Sequence, residues 1–168
     1  MKLDKKFYTQ DALRVAPALI GKLIVRKLED GNLIKARITE VEVYLNEKDT
    51  ASHARFGKTP RNKIMYEEGG LAYIYICYGI HFLLNVITGN KNNPQGVMIR
   101  AIEGYVGPGK LTKHLKIDLS LNYLDLSTSE KLWLEDDNFK CKIKTDKRIG
   151  IEYATEEYRN KKWRFIMK

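Results

Sequence analysis

Cysteine, histidine and proline are all scarce in this sequence. The two cysteines, Cys77 and Cys141, lie far apart with no CxxC pair, and the three histidines are His53, His81 and His114. No spacing suits zinc or an iron–sulfur cluster, so the chain is read as needing no metal and no cofactor. Two free thiols fit a reducing compartment. No apolar run approaches the roughly 18 residues that span a bilayer. The opening MKLDKKFYTQ has no apolar core of a secretion signal. Internal repeats and low-complexity linkers are also missing. The expectation is therefore one domain over residues 1–168, cytoplasmic, with no membrane partner.

Positive charge is abundant. Thirty lysines and arginines stand against 21 acidic residues, for a net charge of +9 and an isoelectric point near 9.4. An excess this large favours a polyanionic partner, nucleic acid first. Hydrophobic residues make up 43% of the 168 positions, and a domain of this size can bury roughly 70% of its unfolded surface without staples.

Local patterns predict a mixed domain of helices and mainly antiparallel strands. Thr9 is a candidate cap for a helix through ALRVAPALI, kinked by Pro17 and stopped at Gly21. LIVRKL and LIKARITEVEVYL read as a hairpin around EDGN. Asp49 is a candidate cap for a short turn of helix carrying His53. Thr59-Pro60 predicts a helix running to Gly69-Gly70. LAYIYICYGIHFLLNVIT reads as two strands folding back at Tyr78-Gly79, and VMIRAIE as another strand. GPGKLTKHLKI is a tight turn opening a helix. STSE fits a capping box, although LWLE just after it reads equally as a strand. FKCKIKT and WRFIM are strands and ATEEYRN a helix. The short distances between strands imply antiparallel pairing.

Five features can carry chemistry. In ITEVEVYL, strand alternation puts Ile38, Glu40, Glu42 and Tyr44 on one face. A partly buried glutamate beside an aromatic wall can serve as a general base, and an exposed face is the plainer explanation. Tyr73 and Tyr75 share a face, and one of them is expected in the core. Tyr78, at the hairpin tip of a basic protein, suits a wedge into a base stack. Asn85 and Arg100 are polar residues inside apolar strands. Asn85 can meet a base edge, and Arg100 can anchor a phosphate or orient a carboxylate. GPGK with Lys110 and Lys113 suits a phosphate, as does the cluster of Arg55, Lys58 and Arg61 around TPRNK.

Taken in order, these pieces resemble the alkyladenine (3-methyladenine) DNA glycosylase family, the type without a helix-hairpin-helix. The resemblance is carried by EVEVYL, DTASHARFGKTPRN, GGLAYIYICYGIHFLLNV, VMIRAIE, GPGKL, LWLE, RIGI and WRF, and it covers nearly the whole chain. It implies an α+β fold, a single mixed domain with a curved, mainly antiparallel sheet, flanking helices and a projecting β-hairpin. It implies that Glu42 activates water and that Arg100 helps place the water and the carboxylate. Tyr44, His53 and Tyr75 would hold an everted purine, Asn85 would screen out guanine, and Tyr78 would fill the gap in the duplex. Arg55, Lys58, Arg61 and Lys110 are the candidate contacts to the DNA backbone. The partner implied is double-stranded DNA containing damaged purines, with the protein acting as a monomer. The lesions implied are 3-methyladenine and 7-methylguanine, with hypoxanthine and ethenoadenine as further candidates.

Glu40 shares the strand face and is the alternative base. Absence of an obvious lysine or N-terminal proline nucleophile predicts hydrolysis without strand cleavage. One departure from the family is the short Glu103–Val106 connection between VMIRAIE and GPGKL. Two other classes compete: a nucleic-acid-binding module without catalysis, and a hydrolase of free nucleosides or glycosides.

Overall fold

The computed structural model describes residues 1–168. Four short helices, α1 (Lys5–Tyr8), α2 (Ala12–Leu19), α3 (Pro108–His114) and α4 (Glu156–Asn160), surround a sheet. The nine strands are β1 (Leu23–Lys27), β2 (Leu33–Leu45), β3 (Ala72–Cys77), β4 (His81–Ile87), β5 (Gln95–Ile102), β6 (Tyr105–Val106), β7 (Leu132–Glu135), β8 (Ile143–Asp146) and β9 (Arg164–Met167). The main path runs β3-β4-β5-β2-β1-β7, with β6 added to β5 and the β8–β9 pair added to β2. Every ladder is antiparallel. The chain is thus an α+β fold, as the sequence implied. No helix is long and apolar enough to cross a membrane.

Strand β2 organises the molecule. Its first half pairs with β1, and its second half pairs with β5 and β9. A 13-residue strand of this kind must bend to serve two neighbourhoods, and the register breaks between Ile38 and Val41 show where it does. That irregularity corrects one expectation. Ile38 does not share a face with Glu40, Glu42 and Tyr44, because it joins Val41 and Val43 in the main core. An extra residue in one strand reverses the alternation on either side of it.

Helix α2 packs Ala12, Val15, Ala16 and Leu19 into the core, a spacing that gives one apolar stripe. Its cap is Asp11, whose carboxylate accepts from the Leu13 amide at 2.8 Å. Thr9 instead closes α1, its hydroxyl donating to the Lys6 carbonyl. The Ala12 amide donates to the buried Gln95 side chain at 2.6 Å, a partner 83 residues away that no local pattern could announce. The helix continues through Pro17 and ends at Leu19.

Three other expectations are corrected. The helix foreseen from Thr59 to Gly69 is one turn followed by a 3₁₀ turn at Lys63–Tyr66. Thr59 and Asn62 cap each other, with Asn62 Oδ1 accepting from the Thr59 amide at 2.7 Å. STSE forms a turn around Asp125, and LWLE is the strand β7. FKCKIKT is strand only from Ile143 onward.

Candidate active site

Glu42, on the second half of β2, is buried next to a cavity that it does not itself line. Glu42 has no solvent exposure. Its Oε2 accepts from the Tyr44 hydroxyl at 2.8 Å, and its Oε1 accepts from the Ile149 amide at 2.7 Å. Arg100 on β5 brings Nε to 3.5 Å from the same Oε1. Burial raises the Glu42 pKa above the ordinary carboxylate range, against the opposing pull of Arg100, the Ile149 amide and the Tyr44 hydroxyl. A carboxylate has about four lone-pair positions. The Tyr44 hydroxyl and the Ile149 amide take one position on each oxygen, and Arg100 lies within ion-pair distance of Oε1.

Glu40 is a different kind of residue. Its Oε1 accepts from Arg100 Nε and from Arg164 Nη1, both at 3.2 Å. Two guanidinium groups therefore occupy it, and Arg100 is held between Glu40 and Glu42.

Beside this strand face lies a cavity of about 640 Å³. Tyr44, His53, Tyr75, Asn85 and Arg100, five residues singled out in the sequence, all line it. Ile149 and Gly150 form the wall next to Glu42. The rings of His53 and Tyr75 are 4.6 Å apart and tilted at 55°. Burial and the nearby charges of Arg61 and Arg55 lower the His53 pKa to about 4, so its ring is neutral at physiological pH. Asn85 on β4 is buried and donates to the Tyr73 carbonyl at 3.2 Å.

His53 owes its place to two side chains. Ser52 caps the 3₁₀ turn His53–Phe56, accepting from the Ala54 amide. The buried Asn62 amide donates to the carbonyls of His53 and Gly57 at 2.8 and 2.9 Å. Asp49, foreseen as that cap, does something else. It accepts from the amides of Leu45 and Ala51 and pairs with Arg148 at 2.7 and 2.9 Å. With four N–H groups donating to its two oxygens, the Asp49 carboxylate has no lone pair left for the following turn.

The β3–β4 hairpin projects Tyr78, which is 90% exposed. Tyr78 and Gly79 both have positive φ, 53° and 69°. Three residues, Tyr78 to Ile80, join the ladder partners Cys77 and His81, the Ile80 amide donating to the Cys77 carbonyl at 3.2 Å, and a tyrosine is an uncommon occupant of such a left-handed position. Helix α3 begins beside the hairpin base. A Cβ on Gly109 would lie 2.9 Å from His81 Nδ1, so only glycine lets the two approach this closely.

The basic candidates divide. Arg61 and Lys110 line the main cavity, with the Arg61 guanidinium 5.5 Å from the Tyr75 ring centre. Arg55 lies in an adjoining cleft of about 310 Å³, over the rings of Phe56 and Tyr153. Lys58 lies over Tyr66.

Several residues of the site carried no role in the sequence reading. Tyr73 is buried, and its hydroxyl is 3.0 Å from His53 Nδ1. Met98 and Tyr153 also line the cavity. Only the pairing of β3 with β4 and of β4 with β5 brings Tyr73, Asn85 and Met98 into one row.

Comparison with known proteins matches a model of the methylpurine-DNA glycosylase (MPG) family over residues 6–106 and 103–168. The chain belongs to the methylpurine-DNA glycosylase family. It is 44% identical to a protein of Borrelia garinii subsp. bavariensis, over 99% of this chain and 96% of that protein. It is 38% identical to proteins of Desulfitobacterium hafniense and Natranaerobius thermophilus, over at least 99% of this chain and at least 95% of each. All three are provisionally named 3-methyladenine DNA glycosylase. For a member of this family, a net charge of +9 has an evident use.

Proposed function

We propose that the protein is a base-excision repair glycosylase that everts alkylated purines from duplex DNA and hydrolyses the N-glycosidic bond. Glu42 takes a proton from water as the water attacks the anomeric carbon, and Arg100 orients both. Bases that can be accepted include 3-methyladenine and 7-methylguanine, and also hypoxanthine and ethenoadenine.

The observation that carries this reading is a buried carboxylate beside an aromatic-lined cavity large enough to admit a nucleobase. Tyr44, His53 and Tyr75 offer ring faces to the base. A methylated purine is cationic, and a cation over such faces gains on the order of 1–2 kcal/mol. His53 is neutral and so adds no charge to repel it. The same cation is already a good leaving group. The main demand on the protein is therefore to stabilise the positive charge developing on the sugar, which the carboxylate of Glu42 does. A raised pKa makes Glu42 a better proton acceptor than an exposed glutamate.

Tyr78 fills the space vacated by the everted nucleotide, and eversion costs a few kcal/mol in all, with a smaller cost at a damaged or mispaired base. Asn85, a lining residue of the cavity, screens out guanine by crowding its exocyclic amine. Arg55, Lys58, Arg61 and Lys110 meet phosphates on either side. Lys110 is the one lysine of the cavity wall, and it is solvent-exposed, without the apolar enclosure that activates an amine nucleophile. The reaction is accordingly simple hydrolysis, leaving an abasic site.

The test is incubation of a duplex carrying one 3-methyladenine, with separate assays for free base, for alkali-labile strands and for borohydride-trapped protein–DNA adduct. Free base and alkali-labile strands without adduct are expected. DNA binding without base release from any of the lesions named would leave only a nucleic-acid-binding module. Trapped adduct would show a lyase.

A further inference from the structure

Behind the wall of the cavity lies a buried ion pair that the hydrolytic chemistry does not itself require. The side chains of Arg148 and Asp49 are both fully buried. Arg148 Nη1 donates to Asp49 Oδ2 at 2.7 Å and to the Val43 carbonyl at 2.9 Å. Nη2 donates to Asp49 Oδ1 at 2.9 Å and to the Tyr158 carbonyl at 3.3 Å. The guanidinium centre lies 4.9 Å from the Tyr44 ring centre and 5.0 Å from that of Trp163. Its Nε is buried without a partner.

Such a pair is a poor device for stability alone, because desolvation offsets much of the attraction. What it fixes is geometry. Val43 and Tyr44 flank the pair on the β2 side, directly after Glu42. On the other side, the residue after Arg148 is Ile149, whose amide bonds Glu42 Oε1. Asp49 ties the same assembly to the turn between Leu45 and Ala51, which leads to His53.

We propose that the Arg148–Asp49 pair is a positioning device for Glu42, holding the Tyr44 ring and the Ile149 amide so that both hydrogen bonds to the carboxylate are kept. Neither residue of the pair touches the substrate. The proposal rests on the reading of Glu42 as the base.

The sign of a pH shift separates positioning from a field effect. Around Glu42 stand Tyr44 and Glu40 on β2, Arg100 on β5, Arg164 on β9 acting through Glu40, and Arg148 and Tyr153 from the 148–153 segment. In Asp49→Asn, Arg148 loses its counter-charge. If the pair acted only through its field, the freed positive charge would favour ionised Glu42 and move the acid limb of the rate profile to lower pH. If it positions, loosened bonds from Ile149 and Tyr44 move that limb to higher pH.

The experiment is single-turnover base release from a 3-methyladenine duplex, from acid to neutral pH. It compares wild type, Asp49→Asn and Trp163→Leu, each normalised to the fraction that binds an abasic-site duplex. Expected for Asp49→Asn is a loss at neutral pH of roughly tenfold to a hundredfold, with the acid limb displaced upward. Trp163→Leu removes one ring from the guanidinium and leaves the ion pair intact. It should shift the limb in the same direction by less, and it carries the test if Asp49→Asn does not fold. An acid limb unmoved or displaced downward, once normalised, overturns the proposal. Glu42→Gln in the same series separates the two claims. If that variant stays active, the assignment of the base has failed. If it is inactive while the limb of the other variants stays put, only the positioning role has failed.

Discussion

Arg100 is shared between two carboxylates, with Nε 3.2 Å from Glu40 and 3.5 Å from Glu42. The two glutamates lie two residues apart on β2, yet only Glu40 has two guanidinium partners. They should therefore respond oppositely to neutralisation. Glu40→Gln leaves Arg100 to Glu42 alone, which favours ionised Glu42. Its acid limb should move to lower pH, with neutral-pH activity within about tenfold of wild type. Measured pH–rate profiles check this, and loss of all activity in Glu40→Gln would make Glu40 the base.

Stability should carry the imprint of Glu42 in a pH-dependent way. Its pKa is raised in the folded state, so the folded protein holds a proton that the unfolded chain releases. Glu42 therefore costs stability as pH rises above the ordinary glutamate pKa. The melting temperature of Glu42→Gln, relative to wild type, should increase between mildly acid and neutral pH. Thermal unfolding at two pH values decides it.

His53 has the opposite sign. Its pKa falls from 6.5 to about 4 in the fold. The stability tied to its neutral form is whole above 6.5 and is lost as pH falls towards 4. Wild type should lose more stability on acidification than His53→Asn, by the same unfolding measurement.

At Tyr78, stability and function should separate. A tyrosine at φ 53° is strained by on the order of 1–2 kcal/mol, which glycine relieves. Tyr78→Gly should thus melt no lower than wild type. Its affinity for an abasic-site duplex should fall, since the lost stacking is worth about 1–3 kcal/mol. Melting curves and binding titrations together test the pair of outcomes.

Salt dependence tests the basic residues one at a time. Loss of one phosphate contact reduces the log–log salt slope by about one. Arg55→Ala, Lys58→Ala and Lys110→Ala should each do so. Lys58 lines neither cavity, so Lys58→Ala should leave the rate of the bound complex unaltered. Arg61→Ala should also slow the bound complex, because Arg61 borders Tyr75 within the cavity.

Strand alternation and turn chemistry made much of this molecule legible. The β1–β2 and β3–β4 hairpins, the tip at Tyr78-Gly79 and the face shared by Glu40, Glu42 and Tyr44 all follow from periods and turn residues. What stayed hidden depends on contacts distant in sequence. Ile38 shares the face of Glu40 on paper, and only the bulge imposed by two sets of neighbours sends it into the core. Asp49 looked like a helix cap because its partner Arg148 is 99 residues away. The Ile149 amide on Glu42 is a backbone group, which no residue pattern records. Asn62 has the same character, since its bonds to the His53 and Gly57 carbonyls hold a loop that the TPRN motif marked only as a helix start.

The most direct measurement is single-turnover release of 3-methyladenine from duplex DNA by wild type and Glu42→Gln, both saturating and both shown to bind the abasic duplex. The account predicts release by wild type and a slowing of roughly 10²–10⁴-fold in the variant, with binding retained. A Glu42→Gln protein that binds and releases base at the wild-type rate would contradict it.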